Sequence, residues 1–289
     1  MRTSANPPDP VSADVATRRE LIAPEPAEAL AGLLDIDPPP LHDHAPLPWL
    51  WHWIYLLERR PQRDLGVDGH PAHGIPAPPG SGWLRMFAGG RVTAHRPLRV
   101  GLPATRTTRV SRTVEKTGRS GPLTFVTVRS EIEQDGALAI VDEQDIVYRP
   151  PGSARSRPAG TGDASPPPPG PPAVTLRFAV DPVVLFRFSA LTYNAHRIHY
   201  DRAYVLDEGY PDLLVHGPLQ ALLMGELIRR TGTATDGKRF AYRLLAPTFG
   251  AQVLTVTLTP DGAAFAAEVR DGNGRITATG ELTPTAGPA

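Results

Sequence analysis

The stretch FSALTYNAHRIHYD, Phe188 to Asp201, concentrates the side chains best suited to proton chemistry. His196 and His199 stand three residues apart, with Arg197 between them and Asn194 just upstream, in otherwise apolar, small or aromatic surroundings. An imidazole with an unperturbed pKa of about 6.5 gives and takes protons at neutral pH, so a general acid–base centre is one use for the pair. Metal ligation and hydrogen-bonded burial in a core are the other two. A histidine pair at i, i+3 falls short of a ligand set without a third donor, and no metal is expected. The chain holds 9 histidines and no cysteine, which removes thiolate ligands, disulfides and cysteine nucleophiles together.

A second chemical feature follows at His216-Gly217-Pro218. If a helix begins there, its first N–H groups and its dipole favour a developing negative charge. Pro218 has no N–H, so Gly217 and then Leu219 onward must donate. His216 orients the loop entering that helix, or touches a ligand. Arg197 and Arg202 suit phosphate groups, because guanidinium pairs well with phosphate; solvated surface arginines are the plain alternative.

The elements that must position these groups are legible from pattern. AVTLRFAV alternates apolar and polar residues as a strand does, and the histidine-bearing loop follows it. Gly217 to Arg230 places Leu219, Leu222, Leu223, Leu227 and Ile228 on one helical face, with Pro218 suited to the first turn. The small residues Ala221 and Gly225 let that helix sit close to a sheet. FAYRLLAPTF, QVLTVTLTPDG, AAFAAEVRDGNG and RITATGELT read as consecutive strands, RDGNGR being a hairpin signal.

The first half repeats the order. EALAGLLD is helix-like, and PLPWLWHWIYLLER, Pro46 to Arg59, is an apolar helix candidate. GRVTAHRPLRVG, ATRTTRVSRTVEKTG, LTFVTVRSEIEQDG and LAIVDEQDIVYRP then read as strands, with EKTGRSGPL as a hairpin turn. A buried helix followed by antiparallel strands, written twice, predicts two copies of one α+β unit, each helix wrapped by a curved sheet. Trp49 and Trp53 either fill a core or line a ligand pocket. The boundaries read as a tail to residue 16, a first unit over 17–149, a Pro/Gly/Ala-rich linker over 150–172, a second unit over 173–284 and a short tail over 285–289.

Thirty basic and 30 acidic side chains leave no net charge, against the basic excess of a nucleic-acid binder. The N-terminus has no apolar core of a secretion signal, and no run of about 18 apolar residues occurs. A soluble, cytoplasmic protein without membrane or nucleic-acid partners is expected.

The strand, the loop TYNAHRIH and the helix start HGPLQALL together resemble the MaoC-like hydratases and dehydratases of the hotdog fold. The wording SALTYNAHRIHYD…VHGPLQALL, with LPWLWHWIYLLERRPQ and AGGRVTAHRPLRVG in the first half, is closest to the branch of hydroxyacyl-thioester dehydratases type 2 and itaconyl-CoA or mesaconyl-CoA hydratases. That resemblance implies a double hotdog whose first unit shapes an acyl tunnel and whose second unit is catalytic. It implies reversible water addition to a short enoyl thioester, carried by CoA or an acyl carrier protein, with no cofactor beyond the thioester itself. A monomer or a homodimer fits.

On the family motif His199 falls on the catalytic histidine, while Asn194 stands where an aspartate is usual and His196 where an asparagine is. An amide orients water but cannot take its proton. Either His199 transfers all protons while Asn194 fixes the water, or His196 titrates as well, or a carboxylate such as Asp201 or one from the other half fills the role. Gly217, with His216, Tyr193 and Arg197, is expected around the thioester oxygen and the substrate. A free acyl carboxylate would call for an arginine, among Arg91, Arg119 and Arg197. Two rival functions remain: a dehydratase or cyclase acting on a carrier-bound polyketide, and a non-catalytic thioester-binding subunit.

Overall fold

The structure, a computed structural model, describes residues 14–80, 82–118, 121–150, 174–262 and 264–285. Residues 1–13 of the expected tail, residues 151–172 of the expected linker and Ala173, the first residue of the expected second unit, lie outside these residues. The first half runs β1 (Ala16–Leu21), α1 (Pro24–Leu34), 3-10 turns at Trp51–Ile54 and Gln62–Asp64, β2 (Leu84–Ala94), β3 (Pro103–Gly118), β4 (Gly121–Gln134) and β5 (Ala137–Arg149). The second runs β6 (Val174–Val180), α2 (Pro182–Leu191), α3 (Arg202–Asp207), α4 (Gly217–Arg230), β7 (Lys238–Leu244), β8 (Gln252–Asp261), β9 (Ala264–Arg270) and β10 (Ile276–Pro284). Ala16, assigned to the tail from sequence, opens β1.

All strands join one antiparallel sheet in the order β1-β3-β4-β5-β2-β7-β10-β9-β8-β6. Read from either edge inward, the two halves have the same order, and they meet where β2 pairs with β7, Val92 opposite Phe240. The expected pair of α+β units is therefore present, fused through a continuous sheet.

Helix α4 fills the concave face of the second half. Its residues from Leu219 to Ile228 are all buried, so it is a core helix and not an amphipathic surface one. Burying leucines on every side contributes roughly 2 kcal/mol for each. It ends at Gly232, whose φ of 72° lies in the left-handed region that terminates helices. Arg229 and Arg230 both grip the buried Glu226.

The helix expected over Pro46 to Arg59 does not form. Only Trp51–Ile54 turns, and Leu50 and Leu56 take left-handed conformations with φ of 68° and 55°. Trp49, Leu50, Trp51, Ile54, Tyr55 and Leu56 are all buried, so the run has no face to expose and apolar character alone did not specify a helix. Leu50 instead meets α4. A Cβ at Gly225 would stand 2.5 Å from Leu50 Cδ1, so the small residue seats the other half's side chain and not a sheet. Helix α2 was unanticipated. Its signal was Asp181-Pro182: the Asp181 carboxylate accepts from Val184 N at 2.8 Å, with proline in the first turn. α1 and α2 pack on one another at corresponding places in the two halves.

Candidate active site

The loop leaving α2 is tied by its own side chains. Tyr193 takes φ 50°, and Asn194 Oδ1 accepts from His196 N at 3.0 Å before a 3-10 turn over Arg197–His199. His199 Nδ1 lies 2.9 Å from the Leu214 carbonyl. A carbonyl only accepts, so Nδ1 carries the proton and Nε2 presents a lone pair. His216 stacks behind His199, with ring centroids 3.6 Å apart and planes at 19°, and its Nε2 meets Ser189 Oγ at 2.9 Å. Burial pushes the His199 pKa down to about 4, and His216 falls well below its ordinary value for the same reason, so both rings are neutral at pH 7. His196 sets its edge toward His199 at 5.6 Å and its pKa is likewise lowered, by burial first and then by the neighbouring His70, His199 and Arg85, beside which a further positive charge is disfavoured.

The first half reaches this loop with a segment between the Trp51–Ile54 turn and β2. It closes through a Leu65–Pro71 bridge, and its tip is Val67-Asp68-Gly69-His70. The tip lies against the loop that carries His196 and His199: Arg197 N donates to Asp68 O at 2.9 Å, and Arg197 Nη1 donates to Val67 O at 3.1 Å. Gly69 has φ 85°, and a Cβ there would come within 1.9 Å of Ala195 O, so only glycine permits the approach. Asp68 Oδ1 accepts from His70 N at 3.0 Å, and Oδ2 from His70 Nδ1 at 3.2 Å. The His70 ring rests on His196 at 3.9 Å.

These groups border a cavity of ≈ 1060 Å³ between the halves. The second half contributes Asn194, His196, His199 and Gly217; the first contributes Trp53, His70, Arg85 and Arg106. A Cβ at Gly217 would fall 2.1 Å from Leu244 Cδ1 and 3.4 Å from Phe87 Cδ1. The glycine thus brings the N-terminus of α4 to the cavity wall, where the first N–H has no partner within the helix. Trp49 packs edge-on against Phe240 in the core, whereas Trp53 lines the cavity and donates to Asp142 at 2.8 Å.

Several residues expected at the site stand elsewhere. Tyr193 is 57% exposed and off the cavity, and His216 supports His199 from behind without capping α4 through its side chain. Arg197 turns to Asp201, with Nη2 to Oδ2 at 2.7 Å; Asp201 also caps α3 by accepting from Tyr204 N. Arg202 pairs with Asp212, and Arg91 with Glu143 and Asp145, while Arg119 lies outside the described residues. Arg85 and Arg106 line the cavity instead, and neither guanidinium has a hydrogen-bond or ion-pair partner among the described residues. Arg85 is close enough to lower the pKa of both His70 and His196. Sequence reasoning missed Asp68, His70, Arg85 and Arg106. The sole local trace was the Asp-Gly turn of the loop tip.

Asp68, His70 and His196 bring one donor atom each within 4.8 Å of one another. Asp68 and His70 already satisfy each other through two hydrogen bonds, with the His196 ring packed against His70, so the trio reads as a hydrogen-bonded pair and a ring contact before it reads as a ligand set. Among the described residues no helix is long and apolar enough to cross a membrane.

The sequence model of the hydroxyacyl-thioester dehydratase type 2 family matches residues 50–250. The mesaconyl-C(4)-CoA hydratase of Chloroflexus aurantiacus is 46% identical over 262 residues, covering 89% of this chain and 91% of the relative. The crystal structure of HtdX from Mycobacterium tuberculosis aligns with a TM-score of 0.65 at 15% identity, over 94% of this chain and 100% of that one. A conserved Mycobacterium tuberculosis protein with a double hotdog fold aligns with a TM-score of 0.56 at 14% identity, over 94% and 96%. The fused sheet is thus a double hotdog.

Proposed function

The chain belongs to the hydroxyacyl-thioester dehydratase type 2 family, and from that premise we propose that it adds water to, or removes it from, the α,β-double bond of a short branched dicarboxylic acyl-CoA of the mesaconyl type. The observation that carries the reaction class is His199, neutral, with Nε2 bare on the wall of a cavity that also holds the first N–H of α4. The thioester oxygen would accept from Gly217 N–H. Negative charge gathering there as the water oxygen bonds to the β-carbon is stabilised by that donor and the helix dipole, and loss of one such donor typically costs about 10²–10³ in rate. In the simplest form His199 Nε2 takes the water proton and returns it to the α-carbon, with Asn194 holding the water. His196 packs beside them, and His216 fixes the His199 ring.

Arg85 supports the dicarboxylic reading. An unpaired guanidinium on a cavity wall calls for an anion. In a mesaconyl thioester linked through its fourth carbon, the free carboxylate hangs from the carbon that receives the hydroxyl. The arginine that meets it must stand close to the imidazoles, as Arg85 does.

The test is spectrophotometric hydration of crotonyl-, itaconyl- and mesaconyl-C4-CoA by wild type and His199→Ala. Fastest turnover of the mesaconyl thioester, abolished by His199→Ala, is expected. A folded protein that turns over none of the three would sink the reading and favour a carrier-bound substrate or a binding subunit. Equal use of crotonyl-CoA would sink its dicarboxylic part alone.

A further inference from the structure

Asn194 leaves the catalytic loop without a carboxylate, and its Oδ1 is already engaged by His196 N. Asp201, the nearest acid in sequence, is held by Arg197 and by the start of α3. The carboxylate that reaches the imidazole cluster comes from the first half.

We propose that Asp68 and His70 supply the acid–base function that Asn194 cannot, His70 as a catalytic residue on the cavity wall and Asp68 as the positioning residue behind it. This rests on the hydratase reading above and refines which imidazole carries the proton. Four imidazoles cluster here, and the groups behind them differ. His199 rests on a carbonyl and His216 on a hydroxyl, while the His196 ring has no hydrogen-bond partner among the described residues. His70 alone of the four has a carboxylate, on Nδ1, so its Nε2 is the lone-pair atom and an imidazolium formed there is compensated. Gly69 and the Arg197 contacts hold the pair on the loop it serves.

In the hydration direction, a water bound between the two Nε2 atoms gives one proton to His70 while its other O–H donates to His199. The water oxygen forms the new C–O bond at the β-carbon, and the π electrons move into the enolate held at Gly217 N–H. The His70 imidazolium, beside Asp68, then returns its proton to the α-carbon. All groups end as they began, and dehydration reverses each step. The charges facing His70 are Asp68 on its own loop, Arg85 from β2 and the His196 ring; burial and Arg85 lower its pKa and Asp68 raises it, which keeps the base form at neutral pH.

Asp68→Asn is the decisive variant. It keeps Oδ1 for His70 N and the backbone contact to Arg197, and so removes charge but not the turn. With a substrate that wild type hydrates, Asp68→Asn and His70→Gln are each expected to lower kcat by about 10²-fold while KM stays within about threefold. The acid limb of the kcat/KM–pH profile should also move to lower pH in Asp68→Asn, because the group that raised the His70 pKa is gone. Wild-type-like kcat in both variants, or a kcat loss with an unmoved acid limb, would overturn the proposal while leaving the hydratase reading intact. So would loss of wild-type activity on chelation with recovery on adding Zn²⁺, which would make the trio a ligand set. If His70→Gln folds poorly by thermal unfolding, Asp68→Asn decides alone. An inactive wild type, by contrast, overturns the hydratase reading itself.

Discussion

The two halves share a strand order and differ in what they put inside it. The second holds a full helix, α4, behind a loop that carries His196 and His199. At the corresponding place the first has one 3-10 turn and a run of buried aromatics. After the helix, the second half turns directly into β7, whereas residues 57–80 of the first form an excursion that carries Asp68 and His70. Its strands β2 and β3 also bring Arg85 and Arg106 to the shared cavity. One half thus presents the N-terminus of α4 and His199 to the cavity, and the other presents His70, Arg85 and Arg106. A binding site at the seam of two sheets can divide its work this way, because each sheet stays rigid while its loops and inward side chains differ.

The largest expected effect separates equivalent loops. His199→Ala should cost about 10²–10⁴ in kcat with the fold retained, whereas His44→Ala, on the exposed first-half loop after α1, should change it less than twofold. Comparable losses in steady-state assays would break the division of labour.

The next concerns stability and pH. An unfolded histidine titrates at about 6.5, and folded His199 at about 4. Between those values the unfolded chain binds a proton that the fold refuses, so stability is full above about 6.5 and falls as pH drops toward 4, by roughly 3 kcal/mol from this group. Urea unfolding at several pH values should show that slope added to the same-sign contributions of His70, His196 and His216, and His199→Gln should make it shallower. Parallel slopes would mean that His199 is not held neutral.

A smaller effect contrasts two arginines of one strand. Arg85→Gln should raise KM for a dicarboxylic thioester about 10–100-fold, the equivalent of a lost charged hydrogen bond, and leave crotonyl-CoA unaffected. Arg91→Gln, whose partners Glu143 and Asp145 lie off the cavity, should leave KM unchanged for both. Equal responses would remove Arg85 from substrate selection.

The smallest tests the seam. Gly225→Ala should destabilise by about 1–2 kcal/mol, as overpacking against Leu50 does, and Leu50→Ala in the same chain should relieve part of that loss. Additive losses in thermal melts would show that the two residues do not meet as described.

Much of the fold was legible because its signals are short-range. Alternation marked β6, turn residues set off the four strands β7–β10, the proline and leucine spacing marked α4 to its residue limits, and the spacing of Asn194, His196 and His199 marked the loop. Pro46 to Arg59 misled because a run buried on all sides carries no period from which a helix can be told from a coil. Helix α2 was missed because the histidine loop that follows it drew the reading, although Asp181-Pro182 was there to cap it.

The sequence by itself determined the two α+β units, the helix N-terminus at Gly217 and the loop that carries His196 and His199. Only the tertiary structure decided which charges join them. The Arg197–Val67 contact spans 130 residues, and Asp68, His70 and Arg85 reach the site because β2 pairs with β7 and Gly69 allows one backbone to lie on another. Periodicity and capping act over three or four residues, whereas a cavity between two sheets is defined by side chains that meet only after both have folded.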